Sequence, residues 1–265
     1  MELNLTHRLT VSRKDHKSFP WNHLAVAFER LLLFLSFANR SRISAPVVYG
    51  RRGGEIQYFR FETPRRSVPT NRRSWATGVS QSDIGIALTR FLTTVDNEFW
   101  GNILRRAIEW QILAEASLED SAEQALFTVQ MLLELLSFVL LVEDAMILGE
   151  DGYSKLPASD RISLLCSRSN QEVLVPYVHR KELEAFCHAN SISNVGELIT
   201  ALRNKLIHPT KKNREYLDQV PNSVRHAAVH LGLQAASLTM LKVIEYRGMY
   251  YDVIGGDTKV VPWVQ

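Results

Sequence analysis

Cysteine is nearly absent from this sequence. Its 265 residues contain two, Cys166 and Cys187, 21 positions apart and outside any C-x-x-C pairing, so neither a disulfide framework nor a thiolate zinc site is expected. There is no Walker or Rossmann glycine pattern and no nucleophile elbow around a serine or cysteine, which argues against nucleotide-cofactor chemistry and serine-type hydrolysis. His179, His188, His226 and His230 are scattered, and His226 with His230, four positions on, lacks a third ligand. Neither a metal nor a cofactor is therefore expected. The opening Met-Glu-Leu-Asn-Leu-Thr-His-Arg shows no apolar signal region with a small-residue cleavage site, so the expected location is the cytoplasm. Long apolar runs are scarce as well. One, Ala125 to Val142, has 18 residues with only Gln130 and Glu134 strongly polar, near the lower limit for a spanning helix. A central glutamate would be costly in lipid, and acidic residues flank both ends. A buried core helix is expected there, not a membrane anchor.

What is present is a globular composition. Hydrophobic residues make up 46% of the chain and five Trp are spread along it, enough for one large domain or a small one followed by a larger one. Net charge is +3 but unevenly placed: Met1 to Arg73 holds 14 Lys and Arg against 5 Asp and Glu, a net of +9, and the remainder holds 17 against 23, a net of −6. Clustered cations release counterions when they meet phosphates, so the first segment invites a polyanion, with a solvated surface as the plainer explanation.

Periodicity places the elements. The first eleven residues alternate as a half-buried strand, Trp21 to Ala38 reads as a helix, and Val47 to Phe61, interrupted by Gly50, Gly53 and Gly54, reads as a hairpin. Pro64 to Asn71 is an aperiodic loop rich in Pro, Arg, Ser and Thr. A boundary near residue 75 thus divides a basic N-terminal segment, 1–75, with strand, helix and hairpin, from a helical domain, 76–265. Helices are expected over 81–94, 97–116, 120–148, 158–167, 179–189, 194–208 and 221–246. Met249 to Trp263, with Gly255-Gly256-Asp257 at its turn, reads as a C-terminal β-hairpin. If that hairpin packs on the N-terminal strands, both parts form one folding unit. The fold class is mainly α.

The segment Ser193 to Pro209 is the most informative. Asn194 followed by Glu197 resembles a capping box, and Pro209 ends the helix and pushes His208 out of the αR region. Val195, Leu198, Ile199, Leu202 and Leu206 form the buried stripe, which leaves Asn204 and His208 four residues apart on another face. Arg203 flanks that pair, and Lys205, Lys211, Lys212 and Arg214 surround it with positive charge, a plausible phosphate site. Cutting RNA without a metal needs a proton-transfer group of near-neutral pKa and a cation for the phosphorane charge, roles that suit His208 and Arg203. A helix C-terminus also favours the imidazolium. The bland alternative is that basic residues in a last turn only complement the helix dipole.

Arg203-Asn204-Lys205-Leu206-Ile207-His208, late in a helix and preceded by a long apolar helix containing Glu134, resembles the R-N-x-x-x-H signature of the HEPN superfamily. The layout from about Ser80 onward looks most like bacterial ApeA-type anti-phage HEPN proteins. The resemblance implies an HEPN-like helical bundle, often a homodimer. It also implies a metal-independent endoribonuclease of a toxin or abortive-infection system, with Arg203, Asn204 and His208 catalytic. Lys205 would support them, Lys211, Lys212 and Arg214 would bind RNA, and an antitoxin or phage-derived trigger would regulate. It suggests Arg203 as the partner of Glu134; exposure of Glu134, or a partner elsewhere, is the other reading. A different function class remains open, a non-catalytic module that binds RNA, a nucleotide or a protein.

Overall fold

The computed structural model describes residues 21–45, 47–52, 55–61, 73–171 and 181–264. The expected strand over residues 1–11 and the loop over 64–71 lie outside them. Among the described residues the fold is mainly α. Ten helices run as α1 (Trp21–Asn39), α2 (Gln81–Val95), α3 (Glu98–Asp120), α4 (Ala122–Phe138), α5 (Glu150–Lys155), α6 (Ala158–Arg168), α7 (Lys181–Ala189), α8 (Val195–Ile207), α9 (Lys211–Gln219) and α10 (Asn222–Val243). Two hairpins, β1 (Val47–Arg52) with β2 (Glu55–Phe61) and β3 (Met249–Asp252) with β4 (Asp257–Val260), complete the described structure.

Local chemistry sets the helix starts. Ser80, Asn97, Ser121, Asn194 and Thr210 each sit in extended backbone and accept a hydrogen bond from an amide of the first turn through a side-chain oxygen, satisfying a donor the helix leaves free. Ser121 accounts for a difference from expectation. Helices are expected over 97–116 and 120–148, and Ser121 at φ −158° moves the break between them to 121, where it ends α3 and caps α4. The run then tightens into a π-helical turn, Val139–Asp144, and closes at Met146 with φ 48°. The short helices α5 and α9 were not expected at all.

Helix α10 is at the centre. Fourteen of its residues, from Val224 to Leu241, are buried, the signature of a helix apolar on every side, and it packs on α3, α4, α7 and α8. Gly232 permits the closest crossing: a Cβ there would collide with Val129 of α4 and Ile199 of α8. Helix α4 is the second pillar, touching α3, α6, α8 and α10. It continues through the π-helical turn as the one described helix, Ala122–Asp144, long and apolar enough to cross a membrane, and 56% of that apolar window is buried inside the bundle.

Helix α1 shares this core across the compositional boundary near residue 75. Phe34 and Phe37 are buried against Trp75 and Phe91. Arg40, at φ 49° just past α1, is buried and donates to Ser237 Oγ at 3.1 Å, and Gln111 Nε2 donates to the same oxygen at 2.7 Å. Burial pulls the Arg40 pKa below its ordinary value, and the charge of Glu115 opposes that shift. The two hairpins form separate sheets, so β3–β4 does not pair with β1–β2. It meets the segment after the first hairpin instead: Tyr251 N donates to Trp75 O at 2.7 Å and Arg73 donates to Tyr251 Oη at 2.5 Å.

Candidate functional site

The start of α8 is fixed by its first turn. Asn194 Oδ1 accepts from Glu197 N at 2.8 Å, and Glu197 Oε2 accepts from Ser193 N at 2.7 Å and Ser193 Oγ at 3.0 Å. The Ser193 amide, with further donors from Ser193 and Asn194, holds the Glu197 carboxyl below the usual range against a smaller opposing effect of burial. Gly196 presses against the backbone of Ser159 in α6, where a Cβ would not fit. Val195, Leu198, Ile199 and Leu202 are buried as the spacing predicts, and Leu206 is half-buried. The other side of α8 is thereby presented outward.

At its end the box is open. Arg203 is half-buried, and Asn204 and His208 are exposed. The Arg203 guanidinium lies 6.0 Å from the centre of the Phe127 ring on α4 and donates to Asn204 Oδ1 at 3.3 Å. Among the described residues no carboxylate pairs with Arg203, and the His208 imidazole makes no hydrogen bond. Ahead of Pro209 the backbone of His208 leaves the helix, at φ −112° and ψ 80°, as a residue preceding proline must, and the Asn204 amide turns to Arg203. The His208 carbonyl is pinned by Thr210 N at 2.7 Å and Asn213 Nδ2 at 2.7 Å, so the backbone beneath the imidazole is fixed while the ring stays free.

The surrounding cations are arranged by α9. Lys205 stands 5.2 Å over the Tyr216 ring, Arg214 donates to Pro209 O at 3.1 Å, Lys211 pairs with Glu215 at 3.7 Å, and Lys212 is exposed. Arg225 of α10 donates to Leu217 O and pairs with Glu123 of α4 at 3.5 Å, which ties the end of α9 to the bundle. Arg203, Asn204, Lys205, His208 and the α9 cations therefore cluster where α8 ends and α9 begins, with Phe127 beneath Arg203.

Glu134 belongs elsewhere. It pairs with Arg161 of α6 at 3.8 Å and accepts from Gln130 Nε2 at 2.6 Å, not from Arg203. The reason is distance along α4: Phe127 and Glu134 share a face but are separated by two helical turns, about 10 Å, so the residue Arg203 covers is Phe127. Arg161 also donates to Tyr153 O at 3.1 Å and Ser154 O at 2.9 Å and lies over the Tyr153 ring at 4.6 Å. Phe127 and Asn213 were not singled out from sequence. Thr210, a cap residue followed by Asn213, was the available signal for α9 and its role beneath His208.

Other reactive groups are closed off. Cys166 and Cys187 are free but buried, and burial pushes their thiols up to about 12 and about 11, so neither is a thiolate near neutral pH. Among the described residues no three His, Cys, Asp or Glu side chains gather as a metal site.

The match to known proteins falls on the same part of the chain. Residues 97–262, from the N-cap of α3 to the end of the C-terminal hairpin, match the family model of the YopA C-terminal domain. The chain is similar to the SPbeta prophage-derived uncharacterized protein YopA of Bacillus subtilis (strain 168), at 23% identity over 267 residues. That alignment takes in 98% of this chain and 58% of the relative, so the chain spans a little over half the length of the protein it resembles. No solved structure matches. With more than half its length inside the family match, the chain belongs to the YopA C-terminal domain family.

Proposed function

We propose that the box at the end of α8 is the active site of a metal-independent endoribonuclease of HEPN type, a cytoplasmic enzyme of an anti-phage or toxin system. The observation that carries this reading is the free state of its two reactive groups. Among the described residues the Arg203 guanidinium has no carboxylate partner and the His208 imidazole has no hydrogen bond. Lys205, Lys211, Lys212 and Arg214 stand around them. A cation that only capped its own helix would be spent on carbonyls. Arg214 is partly spent in that way on Pro209 O and Lys211 pairs with Glu215, while Arg203, Lys205 and Lys212 hold no carbonyl among the described residues and are available for a phosphate.

In the proposed reaction a base takes the proton of the ribose 2′-hydroxyl and O2′ bonds to phosphorus. The P–O5′ bond breaks, and an acid returns a proton to the 5′-oxygen. The products are a 2′,3′-cyclic phosphate and a 5′-hydroxyl. Arg203 offsets the phosphorane charge, and Asn204, through its bond to Arg203, aims the guanidinium. The step needs two proton transfers, and each chain offers one His208, which favours a homodimer with two boxes facing one cleft. Support comes from α4, whose outer face beside Arg203 carries exposed Met131 with half-buried Phe127, Leu135 and Phe138. An antitoxin or phage-derived trigger would act by covering or uncovering this corner.

The test is cleavage of a labelled RNA pool by wild type and His208→Ala in EDTA, with product ends read on a gel. Cutting by wild type alone, leaving cyclic-phosphate ends, is expected. Equal cutting by both proteins, or loss of cutting in EDTA, rejects the assignment. Binding of RNA without cutting by either makes the domain a binding module.

A further inference from the structure

The hairpin β1–β2 stands apart from the helices. It is a two-stranded sheet of its own, neither strand packs extensively on a helix, and none of its described side chains is buried. An isolated hairpin is marginal in water unless one face is covered. The uncovered face here has a definite composition. Tyr49 and Phe59 are direct cross-strand partners, so they share one side of the ribbon, and they are 40% and 61% exposed. Beyond the bulge at Gly50 and Arg51, Ile56 lies opposite Arg51 and is 55% exposed. The Arg51 guanidinium stands 5.2 Å over the Tyr49 ring. Glu55 is one register position further on, opposite Arg52 and therefore on the other face.

We propose that this face is a second contact for single-stranded RNA, in which Tyr49 and Phe59 stack unpaired bases and Arg51 meets the backbone. The proposal rests on reading the α8 corner as an RNA-cutting site. Paired aromatics beside a cation, with no carboxylate on the same side among the described residues, are what a nucleic-acid platform combines. Accessible ring faces suit unstacked bases, not duplex, whose bases are already stacked. Charge complementarity points the same way: residues 1–73 carry 14 Lys and Arg against 5 Asp and Glu.

The test uses the full chain carrying His208→Ala, so that binding is read without cutting, and a short fluorescein-labelled single-stranded RNA followed by anisotropy. Tyr49→Ala with Phe59→Ala is expected to weaken binding about tenfold with the salt slope kept. Arg51→Gln is expected to lower the salt slope by about one. The conservative pair Tyr49→Phe and Phe59→Tyr is expected to bind as the parent does, which separates lost stacking from a disturbed hairpin. An unchanged affinity in the alanine variant, or no binding by the parent, overturns the proposal; the first leaves the face to a protein partner. Hairpin-dependent binding by a wild type that never cuts removes the nuclease and keeps this contact, and cutting with hairpin-independent binding does the reverse.

Discussion

Arg161 and Arg203 reach the same face of α4 from neighbouring helices, two turns apart, and their surroundings are opposite. All of Arg161 is engaged: Nε and one terminal nitrogen meet the carbonyls of Tyr153 and Ser154, the other terminal nitrogen meets Glu134, and the plane lies on the Tyr153 ring. Arg203 has Phe127 beneath it and Asn204 beside it and, among the described residues, no carboxylate opposite. The difference teaches how to sort arginines in this bundle. One whose donors are taken up by the chain holds helices together, and one whose donors are left over is the one to test for a ligand.

The sharpest way to break the comparison is at the open site. His208→Ala should lower RNA cleavage by about 10²–10⁴-fold, the range for one proton-transfer group, with the melting temperature unchanged. If cleavage persists, Arg203 and His208 are no more functional than Arg161. At the closed site, Arg161→Ala should cost about 2 kcal/mol in chemical denaturation, because two carbonyls and Glu134 lose their donors, while cleavage per folded molecule is kept. Lost cleavage with the fold intact would place Arg161 in the site and erase the distinction.

A smaller effect is expected from the cap that positions the open site: Asn194→Ala should cost about 1 kcal/mol, read as a shift in denaturation midpoint. Acid should act through the same turn and through the C-terminal hairpin. Burial raises the Asp252 carboxyl, but donors from Lys259, Gly255 and Gln234 outweigh it and hold its pKa below the ordinary value, as Ser193 does for Glu197. Both folded pKa values are depressed, so these contributions are complete above about pH 4.5, the upper end of the unfolded values. They are lost as pH falls through the folded ones. Denaturation midpoints at pH 7 and pH 3 should differ, and Asp252→Asn should reduce that difference. The smallest effect should be Arg203→Ala on stability, within about 0.5 kcal/mol; a larger loss would mean the guanidinium is structural after all.

Much of the helical layout was legible because its signals are local. Asn194, Glu197 and Pro209 bound α8 as the spacing required, and the apolar stripe from Val195 to Leu202 is buried. The break between the helices expected over 97–116 and 120–148 lies at Ser121, a few residues late, because several polar residues there (Ser117, Glu119, Asp120, Ser121) offer themselves as a boundary and only φ shows which one turns the chain. The partner of Glu134 was beyond local reading. Arg161 and Arg203 are both arginines on later helices, and choosing between them depends on where α6 and α8 cross α4.

Composition, periodicity and cap chemistry determined by themselves that this chain is mainly helical, where α8 starts and stops, and that Arg203, Asn204, Lys205 and His208 lie at its end with cations following. Those properties depend on residues within a few positions of one another, so the chain states them directly. Tertiary structure alone decided that Arg161 takes Glu134, that Phe127 lies beneath Arg203, that α1 joins the helical core through Arg40 and Ser237, and that the two hairpins stay apart. Each of these is a contact between residues far apart in the chain, set by helix crossings and by which polar groups burial forces into pairs.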